Sequence, residues 1–334
     1  MTQAPPLNST VSIPMDSIDQ QVLRQLQAWL DAGETAWLCT IVRTQGSSPR
    51  PLGSLLACTD SGHIVGSLSG GCVEEDLLER LARGELAGAG PELVEYGVEA
   101  DQNERLGLPC GGRLYVLVER MGPAQRGAVA AINDSIGQRR CCRRVVDLRS
   151  GATEVEAVGH FYPLQLGSDR LEQTFGPRYL LLLVGAGQLA RYLAELAMML
   201  DYRVLVCDPR PQMIRDWNLA GVELVQGMPD DVVRERVRDR YGIVITLTHD
   251  PRIDDMALME ALASPACYVG ALGSVRTSAR RRERLPELGL SAAQIARLRA
   301  PVGLDIGSKS PPEIAIAILA DLIRMRRQPA AGGA

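Results

Sequence analysis

Cys72 and Cys110 each adjoin a pair of glycines, in the segments Ser69-Gly70-Gly71-Cys72-Val73-Glu74 and Cys110-Gly111-Gly112. Backbone stripped of side chains lets a ligand approach such a thiol closely. Where the glycines open a helix, exposed N–H groups and the helix dipole favour a bound anion and shift the thiol toward thiolate. A thiolate there can ligate a soft metal or hold sulfur, so Cys72 and Cys110 are the candidate metal ligands. Upstream, Gly46-Ser47-Ser48-Pro49-Arg50 supplies hydroxyl, backbone and guanidinium donors that suit a phosphate or carboxylate. The same spacing also admits a plain glycine-rich turn with a buried cysteine.

A second device lies past the middle of the chain. The apolar run Leu180-Leu181-Leu182-Leu183-Val184 leads into Gly185-Ala186-Gly187-Gln188-Leu189-Ala190 and then into a helix. Glycines at this spacing allow a tight turn and close approach of a pyrophosphate, whose charge sits at the helix start near Gln188. Asp208 ends the next strand, roughly 20 residues on, where a carboxylate hydrogen-bonds the adenine ribose hydroxyls. That placement favours NAD over NADP, although Arg210 stands close enough to receive a 2′-phosphate. His249, one of only three histidines, follows the fourth strand at the carboxyl end, where open α/β sheets bind ligands. A ligand role and a loop hydrogen bond are both open to it.

The elements that must position these residues fall into two groups. In the first, residues 15–160, the spacing of Ile18, Val22, Leu26 and Trp29 predicts a helix that Gly33 stops. Strands are expected at 36–42, 54–59 and 63–67, with a helix from about Val73 to Ala82. A strand at 114–119, a helix at 124–137 and a hairpin of 143–148 with 153–158 complete an α+β domain. Residues 161–178 hold Pro163, Gly167, Gly176 and Pro177 without a clear period and read as a linker. From 179 to 328 strand and helix alternate, with strands at 179–184, 203–207, 222–225, 243–247 and 267–269, which is the signature of a Rossmann-like domain with a mostly parallel sheet. The whole is thus an α/β chain. The run Arg280-Arg281-Arg282-Glu283-Arg284 reads as a solvated helix face, with steering of a phosphate or partner as the other reading, and is not assigned to the site.

Composition narrows the function. A length of 334 residues suits about two domains, and 46% apolar with 23% charged residues is ordinary for a globular protein. A net charge of −4 without a basic stripe argues against a nucleic-acid partner. Met1 to Pro14 lacks the features of a signal peptide and no apolar run is long enough to span a bilayer, so a cytoplasmic protein without a membrane partner is expected. The eight cysteines contain no C-x-x-C pair, which excludes a zinc ribbon or thioredoxin motif. Cys39, Cys58 and Cys207 lie in apolar strand-like runs and are expected to pack as small hydrophobes.

These blocks, together with Thr248-His249-Asp250, Tyr268-Val269-Gly270-Ala271-Leu272-Gly273-Ser274 and Pro301-Val302-Gly303-Leu304-Asp305-Ile306-Gly307, occur in an order that resembles the XdhC/CoxI family. The resemblance runs from about Ala36 to Arg326. It implies an accessory protein, or chaperone, that binds the molybdenum cofactor (molybdopterin), supports its sulfuration with a cysteine desulfurase, and inserts it into an apo molybdenum hydroxylase such as xanthine dehydrogenase. It further implies that Gly46, Ser47, Ser48, Arg50, Ser69, Gly70, Gly71, Glu74, Gly111 and Gly112 hold the cofactor, with Cys72 or Cys110 near the molybdenum. Thr248, Asp250, Gly270, Gly273 and Ser274 join the binding set on the same ground, and a homodimer is expected by analogy. The chain departs from the pattern at Gln188, where many relatives have histidine, and lacks the aromatic often found before Cys110. A different reading of the same chain is an NAD(P)-dependent oxidoreductase with its cofactor on Gly185, Gly187 and Asp208 and with His249 as acid or base.

Overall fold

A computed structural model describes residues 18–46, 48, 50–88, 90–97, 113–215 and 217–327, with Cys72 described in its backbone only. The chain forms two compact units, one ending at Pro177 and the next beginning at Arg178.

The first unit opens with α1 (Ile18–Asp31), whose Val22, Leu23, Leu26, Trp29 and Leu30 share one buried face. It continues through β1 (Ala36–Gln45), β2 (Leu55–Thr59), β3 (Ile64–Gly66), α2 (Cys72–Ala82), β4 (Glu92–Tyr96), β5 (Arg113–Met121) and α3 (Pro123–Gly137). The strands form an antiparallel sheet in the order β3-β2-β1-β5-β4. Alternate residues of β1 serve opposite faces: Leu38 packs with α1 and α3, whereas Cys39 and Ile41 pack with Val73, Leu77 and Leu81 of α2. Cys39 and Cys58 are fully buried, as their apolar surroundings predict.

A second antiparallel sheet completes this unit, built from β6 (Cys141–Asp147), β7 (Thr153–Val158), β8 (Gln165–Leu166) and β9 (Arg170–Phe175) in the order β7-β6-β9-β8. The expectation of a linker at 161–178 therefore fails. Its stretch Arg170–Phe175 pairs along β6 and buries Leu171 and Phe175, and its prolines and glycines sit outside the strands. β4 was likewise not foreseen, since two buried residues, Val94 and Tyr96, make too short a pattern to detect.

The second unit runs β10 (Leu180–Val184), α4 (Gln188–Met199), β11 (Arg203–Cys207), α5 (Pro211–Arg215), β12 (Glu223–Val225), α6 (Pro229–Arg236), β13 (Gly242–Thr246), α7 (Pro251–Ala263), β14 (Tyr268–Ala271), α8 (Val275–Arg284), α9 (Ala292–Ala296), β15 (Leu298–Arg299) and α10 (Pro311–Arg327). All six strands are parallel, in the order β12-β11-β10-β13-β14-β15. This is the Rossmann arrangement. The unbroken apolar run of β10 follows from burial on both faces: Leu181 and Leu183 meet α4 and α10, while Leu180, Leu182 and Val184 meet α6 and α7. No helix among the described residues is long and apolar enough to cross a membrane.

The arginine run of α8 is only in part a solvated face: Arg280 and Glu283 are exposed, but the other three arginines are engaged. Arg281 is 2% exposed, Arg282 donates to the carbonyls of Leu298 and Ala300, and Arg284 donates to Asp255. Charge runs usually stay in water, but here buried carboxylates and open carbonyls lie within reach.

Candidate functional site

The carboxyl ends of β10, β11, β13 and β14 enclose a cavity of about 340 Å³. Its walls come from Gly185, Gly187 and Gln188 after β10, Arg210 after β11, Thr248 and His249 after β13, and Leu272 after β14, with Pro311 and Ile314 of α10 closing it. β10 and β13 are the central neighbours from which the chain winds in opposite directions, so the cavity lies at the switch point where such sheets bind ligands. Gly185 adopts φ +111°, and a Cβ there would stand 2.8 Å from Cγ2 of Thr248. Only glycine lets the turn pass that close. Gly187 precedes α4 in extended conformation, with open space around it and no side chain capping the helix start.

Asp208 departs from its expected role. Its carboxylate is fully buried and accepts four hydrogen bonds from the protein itself: the N–H of Ala186 at 2.8 Å, and the N–H, Nε and Nη2 of Arg210 at 3.0, 2.8 and 2.8 Å. A carboxylate offers about four lone-pair sites, so none is left for ribose hydroxyls. Burial pushes this carboxyl up, but the bonds from Arg210 and Ala186 outweigh it and hold it below the usual aspartate range. What Asp208 does instead is tie the glycine turn after β10 to the end of β11 and fix the guanidinium of Arg210 on the cavity wall.

The opposite wall is held by residues the sequence reading did not single out. Asp254 of α7 accepts from the N–H of Thr248 at 3.2 Å and from its Oγ1 at 2.7 Å, and receives Nη2 of Arg281 at 3.0 Å. Arg281 also donates to the carbonyl of Leu272 at 3.1 Å. One buried ion pair thus secures two segments of cavity lining, after β13 and after β14. Burial pushes the Asp254 carboxyl up, against the bonds from Thr248 and the charge of Arg281. The available signal was two adjacent acids, Asp254 and Asp255, beside the apolar residues Ile253, Ala257 and Leu258 of a helix. His249 sits between these fixed points at φ +61°, exposed, a conformation uncommon for a residue with a side chain. Asp250 caps α7 through the N–H of Arg252, and Ser274 caps α8 through the N–H of Thr277, so both act first on helix ends. Gly273 shapes the turn before α8 at φ +155°. Gly270 is tightly packed: a Cβ there would meet Cγ2 of Val302 at 2.5 Å.

In the first unit the glycine loop before α2 already holds an anion, the protein's own. Glu74 accepts from the N–H groups of Leu68, Ser69, Gly70 and Gly71 at 2.8, 2.8, 3.0 and 3.0 Å, from Oγ of Ser67 at 2.9 Å, and from Oγ of Ser69. Burial raises its pKa, yet these donors prevail and hold it at about 2. The amides expected to receive a cofactor phosphate are therefore occupied by Glu74, which the family resemblance had placed on the cofactor. Ser48 donates to the carbonyl of Arg50 at 2.8 Å, and Nε of Arg50 is buried without a hydrogen bond among the described residues. Gly46 turns the chain here at φ +73°. Ser47, Cys110, Gly111 and Gly112 lie outside the described residues, as does the Cys72 side chain, and among those described no three His, Cys, Asp or Glu side chains group to hold a metal.

Fold and site define an α+β domain joined to a Rossmann domain with a cavity at its switch point. Residues 181–322 match the family described as XdhC Rossmann domain, and residues 29–97 match the XdhC and CoxI family. The chain is 29% identical over 329 residues to a protein of Bacillus subtilis (strain 168) named as a probable xanthine dehydrogenase subunit, covering 91% of this chain and 97% of that one. It is also 29% identical over 311 residues to the Escherichia coli (strain K12) protein named molybdenum cofactor insertion chaperone PaoD, covering 91% and 88%. A crystal structure described as a xanthine dehydrogenase from Bacillus halodurans superposes with a TM-score of 0.75 at 26% identity, covering 94% of this chain and 98% of that one. The chain belongs to the XdhC and CoxI family.

Proposed function

We propose that this protein is a molybdenum-cofactor chaperone: it holds the cofactor as cargo, supports its sulfuration together with a cysteine desulfurase, and delivers it to an apo molybdenum hydroxylase of the xanthine dehydrogenase kind. The similarity to a molybdenum cofactor insertion chaperone across 91% of this chain supports the reading, because both units are shared and not the Rossmann half alone. The observation that carries it in the geometry is the switch-point cavity, where the open start of α4 and the guanidinium of Arg210 face one space. Molybdopterin bears a phosphate, and helix starts and arginines are the groups that hold phosphates. In the first unit Arg50, Cys72 and Cys110 remain the proposed cargo contacts, with Ser47 and Ser48 beside them.

The test is reconstitution of an apo hydroxylase with released cofactor, sulfide donor and desulfurase, with and without this protein. The expected result is a higher fraction of active, sulfido-form hydroxylase in its presence, without consumption of the hydroxylase's substrate by the chaperone alone. Equal activation in both arms sinks the proposal.

A further inference from the structure

We infer that the Rossmann cavity selects its ligand through a phosphate monoester placed at Arg210, and rejects an unphosphorylated ribose at that position. Three observations lead there. Asp208, the one carboxylate at the end of β11, is fully buried and its lone pairs are filled by Ala186 and Arg210. A vicinal diol arriving at that point would find no free acceptor, and two hydroxyls left unmatched in a protein site lose the affinity they would otherwise add.

The second observation is what Asp208 does to Arg210. Its two bonds clamp Nε and Nη2, which fixes the plane of the guanidinium and leaves Nη1 without a hydrogen bond among the described residues. The side chain is 32% exposed and lines the cavity, so the clamped cation presents an open edge to a ligand. A guanidinium held in place loses little freedom on binding and offers charge-assisted donors that match a phosphate.

The third is the rest of the lining. Gly187 and Gln188 bring the uncapped start of α4 to the same space, and no carboxylate side chain is among the cavity's lining residues. Asp250, which follows His249 of the lining, is engaged by Arg252 through Nε and Nη2. With Asp208 and Asp250 each paired to an arginine, what the lining offers a ligand is donors, the open edge of Arg210 and the N–H groups at the start of α4. The sequence alone pointed to NAD, because Asp208 stands where a ribose partner would. The pairing with Arg210 reverses that preference.

The shared chemistry is a phosphate monoester, and two sources carry it: the 2′-phosphate of NADP⁺ and the terminal phosphate of the pterin cargo. The inference is independent of the chaperone reading. Calorimetry on the full chain compares NADP⁺ with NAD⁺, which differ by that one phosphate, and then compares released molybdopterin with the same cofactor after phosphatase treatment. The expected result is a preference of about tenfold or more for the phosphorylated partner in at least one pair, the size of one charge-assisted hydrogen bond. Arg210→Ala is expected to abolish that preference. In the dinucleotide pair it is also expected to raise the affinity for NAD⁺, since Asp208 regains free lone pairs; loss of folding alone would lower both. Arg210→Lys should keep part of the preference.

The wild-type comparison stands even if a variant misfolds. NAD⁺ bound as tightly as NADP⁺, with cofactor binding indifferent to phosphatase treatment, overturns the inference, as does the absence of phosphate-dependent binding in both pairs. If the hydroxylase reconstitution fails while the preference holds, the chaperone reading falls and this inference survives.

Discussion

The guanidinium of Arg281 meets the carboxylate of Asp254 at 3.0 Å with the two side chains 3% and 0% exposed, and each partner grips one segment of the switch-point cavity, Leu272 and Thr248 respectively. Removing one member of such a pair leaves a buried charge uncompensated. Arg281→Ala is therefore expected to cost about 3–5 kcal/mol, measured by urea unfolding, whereas the double replacement Asp254→Leu with Arg281→Met should cost less than the single change. A single variant within about 0.5 kcal/mol of wild type would show that the pair does not hold the fold.

Glu74 ties stability to pH. Its pKa is held at about 2 in the folded chain, against an ordinary value of 4.5. A depressed acid contributes stability that is complete above the unfolded value and is lost as pH falls through the folded one. Here that window runs from about 4.5 down to about 2. The contribution at neutral pH is about 2 kcal/mol once partial solvent screening is allowed for. Unfolding midpoints of wild type and Glu74→Gln should differ at pH 7 and converge on acidification. A gap that stays constant from neutral pH to the acid end of that window would refute the linkage.

Two glycines of one turn should differ in their response to alanine. Gly185→Ala forces a side chain into φ +111° and 2.8 Å from Thr248, so a loss of about 1–3 kcal/mol and of cavity ligand binding is expected. Gly187→Ala meets open space at φ −88°, so stability should stay within about 0.5 kcal/mol. Equal thermal shifts in the two variants would contradict this account of the turn.

Those contrasts mark what a sequence carries and what it hides. The Rossmann half was legible because Leu180–Val184 is buried on both sides and so reads as an unbroken apolar strand before its glycine turn. The hydrogen-bond partners were not legible. Nothing in the order of residues tells whether Asp208 faces a ribose or its neighbour Arg210, or whether the amides before Cys72 wait for a ligand or close on Glu74. Strand β9 was hidden for a related reason: with Leu171 and Phe175 buried beside polar Gln173 and Thr174, it shows no clean alternation. Arg281 was misread because burial of an arginine depends on a partner 27 residues away.

The cysteines beside the glycine pairs supply the last prediction. Cys72 opens α2, directly after a loop whose amides are neutralised by Glu74, so that loop no longer offers its N–H groups to a phosphate. If the cargo's phosphate is held elsewhere, what the first unit adds is sulfur: a thiolate from Cys72 or Cys110 suits molybdenum or its sulfido ligand. Cys72→Ala and Cys110→Ala, singly and together, are expected to lower the molybdenum retained per chain after gel filtration while leaving the unfolding midpoint near that of wild type. Cys39→Ala serves as the converse control, since its thiol is fully buried in the sheet core: it should lower the midpoint, by about 1 kcal/mol for the lost packing, and spare the cargo. Full molybdenum retention in the double variant would remove both thiols from the carrier role and leave the Rossmann cavity as the remaining candidate for holding the cofactor.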